Sequence, residues 1–253
     1  MPSIDKSFLQ TALRLLLAGE SEQKKISKAK KSPPEKYRFL KLKVSLRGIS
    51  PPIWRRFIIA NYLTFADLHE ALQVIMGWRH CHLYEFAVGK RPDVRTFSDT
   101  LGDDIMPFPF EEDDDADEAS DFDLSFLNRK GMKFTYTYDF GDSWEHEIIV
   151  EDADYDYSGD QLAVVLSGKR NCPQENSGGV YGYYEILETL KNPEDQDEDF
   201  LDWVADFDPE DFDLEYRNTA LANMFGKPKK RSCRKCVEKS VKKSVKKSVK
   251  KKK

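Results

Sequence analysis

The chain is poor in cysteine and histidine and has no long apolar run. Its four cysteines among 253 residues are unevenly spaced and make no disulfide framework, so a reducing, cytoplasmic setting is expected. The longest apolar stretches, such as Phe57-Ile58-Ile59-Ala60 and Ala163-Val164-Val165-Leu166, fall well short of the roughly 20 residues a membrane-spanning helix needs. No membrane span is predicted. Leu15-Leu16-Leu17-Ala18 lies among Asp5, Lys6 and Arg14, which reads as an amphipathic helix and not as the apolar core of a secretion signal. A phosphate loop and a helical His-Glu-x-x-His zinc motif are both missing, which removes two of the most specific signatures of enzymatic chemistry.

The charge that is present is strongly polarised. Residues 227–253 contain 15 Lys/Arg against Glu238 alone, a local charge of +14, so the first 226 residues carry −19 of the overall −5. Within the tail, Ser240-Val241-Lys242-Lys243 repeats from Ser244 and Ser248, a low-complexity, self-repelling pattern that predicts disorder. Nucleic acid or an anionic surface is the partner class such a segment would attract, and the acidic body would repel both. Cys233 and Cys236 form a single C-x-x-C there, with no second pair to complete a zinc site.

Periodicity divides the rest. Phe8, Leu9, Ala12, Leu13, Leu16 and Leu17 recur at helical spacing, so residues 1–19 are expected to be a helix. Residues 20–36 are a polar linker, and a domain is expected over 37–226. Leu40, Leu42, Val44 and Leu46 alternate with Lys41, Lys43, Ser45 and Arg47, the pattern of a half-buried strand, and Ile53–Ala60 reads as its partner. Thr64 and Asp67 have the spacing of a capping box before a helix that ends at Gly77. Further strands are expected at 82–88, 133–140, 144–151 and 161–166. Helices are expected near 183–190, 200–205 and 214–225, the last announced by Asp208-Pro209-Glu210. Residues 111–123 hold nine Asp/Glu and read as a solvated acidic insertion. Strands that follow one another without strict βαβ alternation point to an α+β fold, a mostly antiparallel sheet with packed helices.

Three segments concentrate chemistry-bearing side chains: Trp78-Arg79-His80-Cys81-His82-Leu83-Tyr84, Tyr138 to His146, and Cys172 to Gly179. In an extended strand His80 and His82 would share a face, with Cys81 turned away, and the pair could hold a metal. Asp139, Asp142, Glu145 and His146 flank a turn. The aspartates there also serve ordinary turn-making, while together the four could form an acid–base cluster or bind a divalent ion. His146 alternates with Trp144, Ile148 and Val150 and so has apolar neighbours. Gly178-Gly179 ahead of a helix could present backbone N–H groups to an anion, or simply make a tight turn.

These three segments, with Pro51-Pro52-Ile53-Trp54-Arg55-Arg56 and Leu68-His69 before them, resemble the plasmid pRiA4b ORF-3-like family of mainly bacterial and archaeal proteins. The string Asp139-Phe140-Gly141-Asp142-Ser143-Trp144-Glu145-His146 is its most distinctive part. The resemblance spans about residues 37–222 and implies an α+β fold without a settled activity. The third segment departs from it: where relatives typically read Pro-Pro-Glu-Asp-Cys-Gly-Gly, this chain has Gln174, Asn176 and Ser177, and keeps Glu175, Gly178 and Gly179.

Three functional readings stay open on the sequence. The first is a ligand- or partner-binding module with an aromatic and acidic surface built from Trp54, Arg55, Trp78, His82, Tyr84, Tyr138, Trp144, Glu175, Gly178 and Gly179. The second is a metal-dependent, hydrolase-like enzyme using Asp139, Asp142, Glu145 and His146, with His80, His82 and His146 as metal ligands and a divalent metal as cofactor. The third is a nucleic-acid-associated protein that binds through its basic tail.

Overall fold

The computed structural model describes residues 34, 37–90, 92–99, 116–192 and 198–226. The expected N-terminal helix, most of the linker and the basic tail lie outside the described residues. So do residues 111–115 of the acidic run.

Strand β1 (Phe39–Leu46) forms where apolar and polar residues alternate. Leu40, Leu42, Val44 and Leu46 are buried, while Lys41, Lys43 and Ser45 stay partly exposed. It pairs antiparallel with β2 (Trp54–Ala60) in the register Leu42↔Phe57 and Val44↔Arg55. Helix α1 (Phe65–Met76) then crosses the sheet. The capping box is present, with the Thr64 side chain accepting from the Asp67 N–H and Asp67 reaching back to the Thr64 N–H. Its apolar stripe of Phe65, Leu68, Leu72, Ile75 and Met76 is buried, and left-handed Gly77 (φ 104°) ends it. The remaining elements are β3 (Tyr84–Val88), β4 (Arg95–Ser98), β5 (Ala116–Glu118), a 3-10 turn (Leu124–Phe126), β6 (Lys133–Tyr138), β7 (Trp144–Tyr155), β8 (Ala163–Lys169), α2 (Gly179–Lys191), α3 (Glu198–Val204) and α4 (Leu214–Phe225).

The strands form one eight-stranded sheet in the order β5-β4-β3-β6-β7-β1-β2-β8. Every neighbouring pair is antiparallel except β4 with β5. The fold is therefore α+β. Cross-strand partners share a face, so the registers Phe86↔Tyr136 and Tyr136↔His146 put the aromatic residues of the central strands on the face that α1 covers. The His69 ring of α1 stacks on Tyr84 at 3.6 Å between centroids. Edge strand β8 is shielded by α4, where the Asn218 amide both accepts from Val165 N (2.7 Å) and donates to Val165 O (3.1 Å). That occupies backbone groups an edge would otherwise leave open.

Several expectations change. The described part of the acidic run is not a loose insertion. Ala116–Glu118 is strand β5, Asp117 takes a salt bridge from Arg95 (Nε 3.0 Å), and Ala119 is fully buried. Asp123 caps the 3-10 turn. Arg95 is what lets an acidic segment close the sheet edge, and strands as short as β4 and β5 carry no readable periodicity. The last helix opens at Leu214 under an Asp213 cap (Tyr216 N to Oδ1, 2.8 Å), while Asp208-Pro209-Glu210 forms a separate turn in which Glu210 N donates to Asp208 Oδ1.

Candidate metal centre

Three loops meet at one end of the central strands. The first joins α1 to β3 (residues 77–83), the second joins β6 to β7 (139–143), and the third joins β8 to α2 (170–178). Each is locked by contacts its own sequence supplies. In the first, His80 takes a left-handed conformation (φ 56°), its N–H donates to Gln73 Oε1 (2.7 Å), and its Nδ1 meets His69 Nε2 at 2.6 Å. The turn 139–143 is wound by Asp139, also left-handed (φ 55°). Its Oδ1 accepts from the N–H groups of Gly141 (2.9 Å) and Asp142 (3.3 Å), and its own N–H donates to Leu83 O (2.9 Å). The third loop is pinned by Trp78 Nε1 donating to Pro173 O (3.1 Å) and by Gly178 N donating to Asp142 Oδ2 (3.1 Å). A Cβ on Gly179 (φ +68°) would lie 2.6 Å from Asp142 O, so glycine is required for the two loops to approach.

At the junction His82 Nε2 lies 3.4 Å from Asp139 Oδ2 and 3.8 Å from Glu175 Oε2. Neither contact has hydrogen-bond geometry, and this buried nitrogen has no hydrogen-bond partner. The far oxygens of both carboxylates are already engaged. Asp139 Oδ1 takes the two backbone N–H groups of its own turn, and Glu175 Oε1 accepts from Arg79 N (2.7 Å) and from the Tyr138 hydroxyl (3.1 Å). Each carboxylate is thereby oriented with one free oxygen facing His82. Burial first, with the Glu175 carboxylate adding to it, pushes the Tyr138 phenol up, so it remains a proton donor at neutral pH. Cys81 completes the cluster. Donor atoms of Cys81, His82 and Glu175 all lie within 4.8 Å of one another, and Cys81 Sγ is 3.8 Å from the Tyr138 hydroxyl. The Asp139 and Glu175 side chains are nearly buried, His82 is about one-quarter exposed, and Cys81 is exposed.

The sequence pattern of the plasmid pRiA4b ORF-3-like protein family matches residues 38–216. The chain belongs to that family. It is 32% identical over 202 residues to the uncharacterized protein y4hQ of Sinorhizobium fredii, covering 78% of this chain and 97% of the relative. The crystal structure of MM3350, a protein of unknown function from Methanosarcina mazei Go1, superposes with a TM-score of 0.60 at 35% identity, covering 71% of this chain and 97% of the other. All three loops of the pRiA4b ORF-3-like domain fall inside the matched span.

The domain brings His82, Asp139, Glu175 and Tyr138 together, with Asp142, Gly178, Gly179 and Trp78 around them. Other sequence-derived candidates lie elsewhere. His146 is fully buried, its Nδ1 3.0 Å from Tyr136 O and its ring edge-on to Trp78 at 5.1 Å. Burial lowers its pKa to about 4, which keeps it neutral in the core. Glu145 points the opposite way along β7 and pairs on the surface with Arg47 at 3.0 Å. The four-residue Asp139/Asp142/Glu145/His146 cluster is thus divided between the two faces of one strand and the adjoining turn. His80 and His82 also part company, because the left-handed turn at His80 breaks the alternation that would have aligned them. His80 goes to His69 and Glu70 (3.5 Å), and His82 to the carboxylates.

The expected aromatic surface is an aromatic core. Trp78, Tyr84, Tyr138 and Trp144 are buried, and Trp54 is half-buried beneath Lys43 and Arg56. Arg55 is fully buried and donates to the carbonyls of Trp54, Ile75, Lys169 and Arg170, a structural clamp between α1, β2 and β8. Cys81 is the member that sequence reasoning turned away from the site. A signal for it existed in Gly77, whose position after the α1 stripe marks residues 78–83 as a loop, where strand alternation does not apply.

Proposed function

We propose that this domain is a metal-binding module whose site is formed by Cys81, His82 and Glu175, with Asp139 Oδ2 beside His82 as a further carboxylate. The observation that carries the reading is the spacing at His82. Donors about 2.0–2.3 Å from a tetrahedral zinc ion lie roughly 3.3–3.8 Å apart, and the imidazole nitrogen stands 3.4 and 3.8 Å from its two carboxylate oxygens without hydrogen-bonding to either. Two carboxylates facing one imidazole are also a grouping of donors that a divalent cation would hold together. Carboxylate ligands whose second oxygens are held by backbone and phenolic donors have the outer-shell support that metal sites use. A donor set of one nitrogen, one oxygen and one sulfur suits zinc better than magnesium or calcium. In this role the ion joins the three loops, and Asp142, Gly178, Gly179 and Trp78 hold them at the required distance.

A hydrolase-like reading rests on the same residues, with Cys81 replaced in the coordination sphere by a water molecule that the metal would activate. The exposure of Cys81 and His82 leaves that side reachable by solvent. Cobalt substitution separates the two readings. A cobalt–thiolate charge-transfer band that vanishes in Cys81→Ser places the thiol on the metal.

The experiment is elemental mass spectrometry of the full-length, untagged protein carrying Cys233→Ser and Cys236→Ser, so that tail thiols contribute nothing. One equivalent of zinc retained after desalting, and lost in His82→Ala and Glu175→Gln, is the expected result. A wild-type site that stays empty after zinc incubation and desalting, or retention unchanged in both variants, would overturn the reading.

A further inference from the structure

Beside the turn that joins β1 to β2, a cleft of about 710 Å³ opens between α2 and the Asp208-Pro209-Glu210 turn. Its walls are largely apolar, built from Pro51, Tyr184, Leu187, Leu190, Phe207 and Pro209. That volume falls in the range of sites for small organic ligands. None of the residues placed at the metal centre lines it.

One cation is set among these walls. Arg170 takes a left-handed conformation (φ 67°), and its side chain is only 7% exposed. An arginine is seldom buried to that degree unless it is paired. The carboxylate that meets it belongs to Glu210, whose own side chain is 69% exposed, and the contact is single: Nε donates to Oε1 at 2.7 Å. Nη1 donates to Pro51 O (2.8 Å). Nη2 makes no hydrogen bond among the described residues, and it is not one of the polar atoms that the fold seals off. Nε and Nη2 form one edge of the guanidinium, the edge that Arg56 presents to both oxygens of Glu151 at 2.6 and 2.7 Å in this same chain. On Arg170 that edge is half used. The fully buried Tyr183 interacts electrostatically with Arg170 and Glu210, and its hydroxyl has no hydrogen-bond partner among the described residues.

We propose that this cleft binds a small monocarboxylate with an aliphatic or aromatic body, whose carboxylate replaces Glu210 on Arg170. The inference does not depend on the metal-binding reading. Glu210 shows that a carboxylate oxygen fits against this guanidinium, but it reaches in from an exposed turn and supplies one oxygen. A ligand carboxylate can take Nε and Nη2 together, the stronger bidentate arrangement, while its body removes apolar wall from water. The rim selects the charge. Lys191 is paired with Glu188 (3.4 Å), and Asp208 remains as a negative group that disfavours a dianion such as phosphate more than a monoanion.

The test is isothermal titration of the full chain with octanoate and, separately, with octylamine, which has the same chain length and the opposite charge. Octanoate should bind and octylamine should not. Glu210→Gln changes an exposed residue and should tighten octanoate binding by roughly two- to fivefold, the equivalent of an exposed ion pair that no longer has to be broken. Arg170→Gln should abolish binding, and if that variant does not fold, Glu210→Gln decides alone. No octanoate binding, equal binding of the amine, or Glu210→Gln binding no tighter than wild type would overturn the proposal. So would undiminished binding by a folded Arg170→Gln protein, which would place octanoate on the basic tail.

Discussion

Removing a single oxygen atom, in Tyr136→Phe, should unravel the polar network that supports the loop carrying Cys81 and His82. Tyr136 is fully buried, and its hydroxyl accepts from Gln73 Nε2 (3.1 Å) and meets His69 Nδ1 at 2.8 Å. Because Gln73 can only donate through that nitrogen, the phenol proton is free to go to His69 Nδ1. His69 then carries its own proton on Nε2 and donates it to His80 Nδ1, while the Gln73 carbonyl holds the His80 N–H. The ring closes on itself with every member satisfied. Deleting the hydroxyl leaves a buried amide N–H and a buried imidazole nitrogen without partners, each costing about 1–3 kcal/mol, so the loss should be about 2–6 kcal/mol. For a domain of this size each kcal/mol moves the melting temperature by about 2–4 °C. Urea unfolding of the full chain gives the free energy directly, with an unchanged denaturant slope showing that the unfolded state is unaffected. Tyr181→Phe, at a residue 82% exposed, is the control and should be neutral. A Tyr136→Phe protein within about 0.5 kcal/mol of wild type would refute the argument, because it would mean the network contributes nothing net.

The buried histidines predict an acid limit. Burial, and then the neighbouring His80, lowers His69 to about 2, and burial lowers His146 to about 4, against about 6.5 in an unfolded chain. Since the unfolded state takes up these protons first, stability is fully present above pH 6.5 and falls as the pH drops from there toward 4. Each histidine contributes a slope of about 1.4 kcal/mol per pH unit, to be read from urea midpoints between pH 7 and 4.5, where carboxylates add little; a flat profile over that window would contradict the burial of both rings. Gly179→Ala should destabilise by about 2 kcal/mol or more, since a left-handed φ alone costs about 1–2 kcal/mol for a residue with a Cβ. The 2.6 Å approach to Asp142 O adds to that, so zinc retention should fall with stability. Wild-type values in both assays would show that the two loops are not held by that contact.

What the sequence determined by itself was local. The alternation of Leu40 to Leu46 had to be a half-buried strand, because a strand exposes every second side chain to the same face. Thr64 and Asp67 had to open a helix, because their side chains satisfy N–H groups that the first helical turn leaves free. The aromatic run Phe134, Tyr136 and Tyr138 likewise marked a strand with one buried face. Tertiary structure alone decided that this aromatic face would be core instead of binding surface, because helix α1 and the loops cover it. It also assembled the candidate centre. His82, Asp139 and Glu175 lie on three separate loops, and what unites them is the order of strands in the sheet, a long-range property that no local spacing encodes. Two left-handed residues, His80 and Asp139, then redirected the chain by a single torsion each. One such turn suffices to turn His80 back against His69 and His82 toward the carboxylates, and it defeats any reading of faces that assumes an unbroken strand.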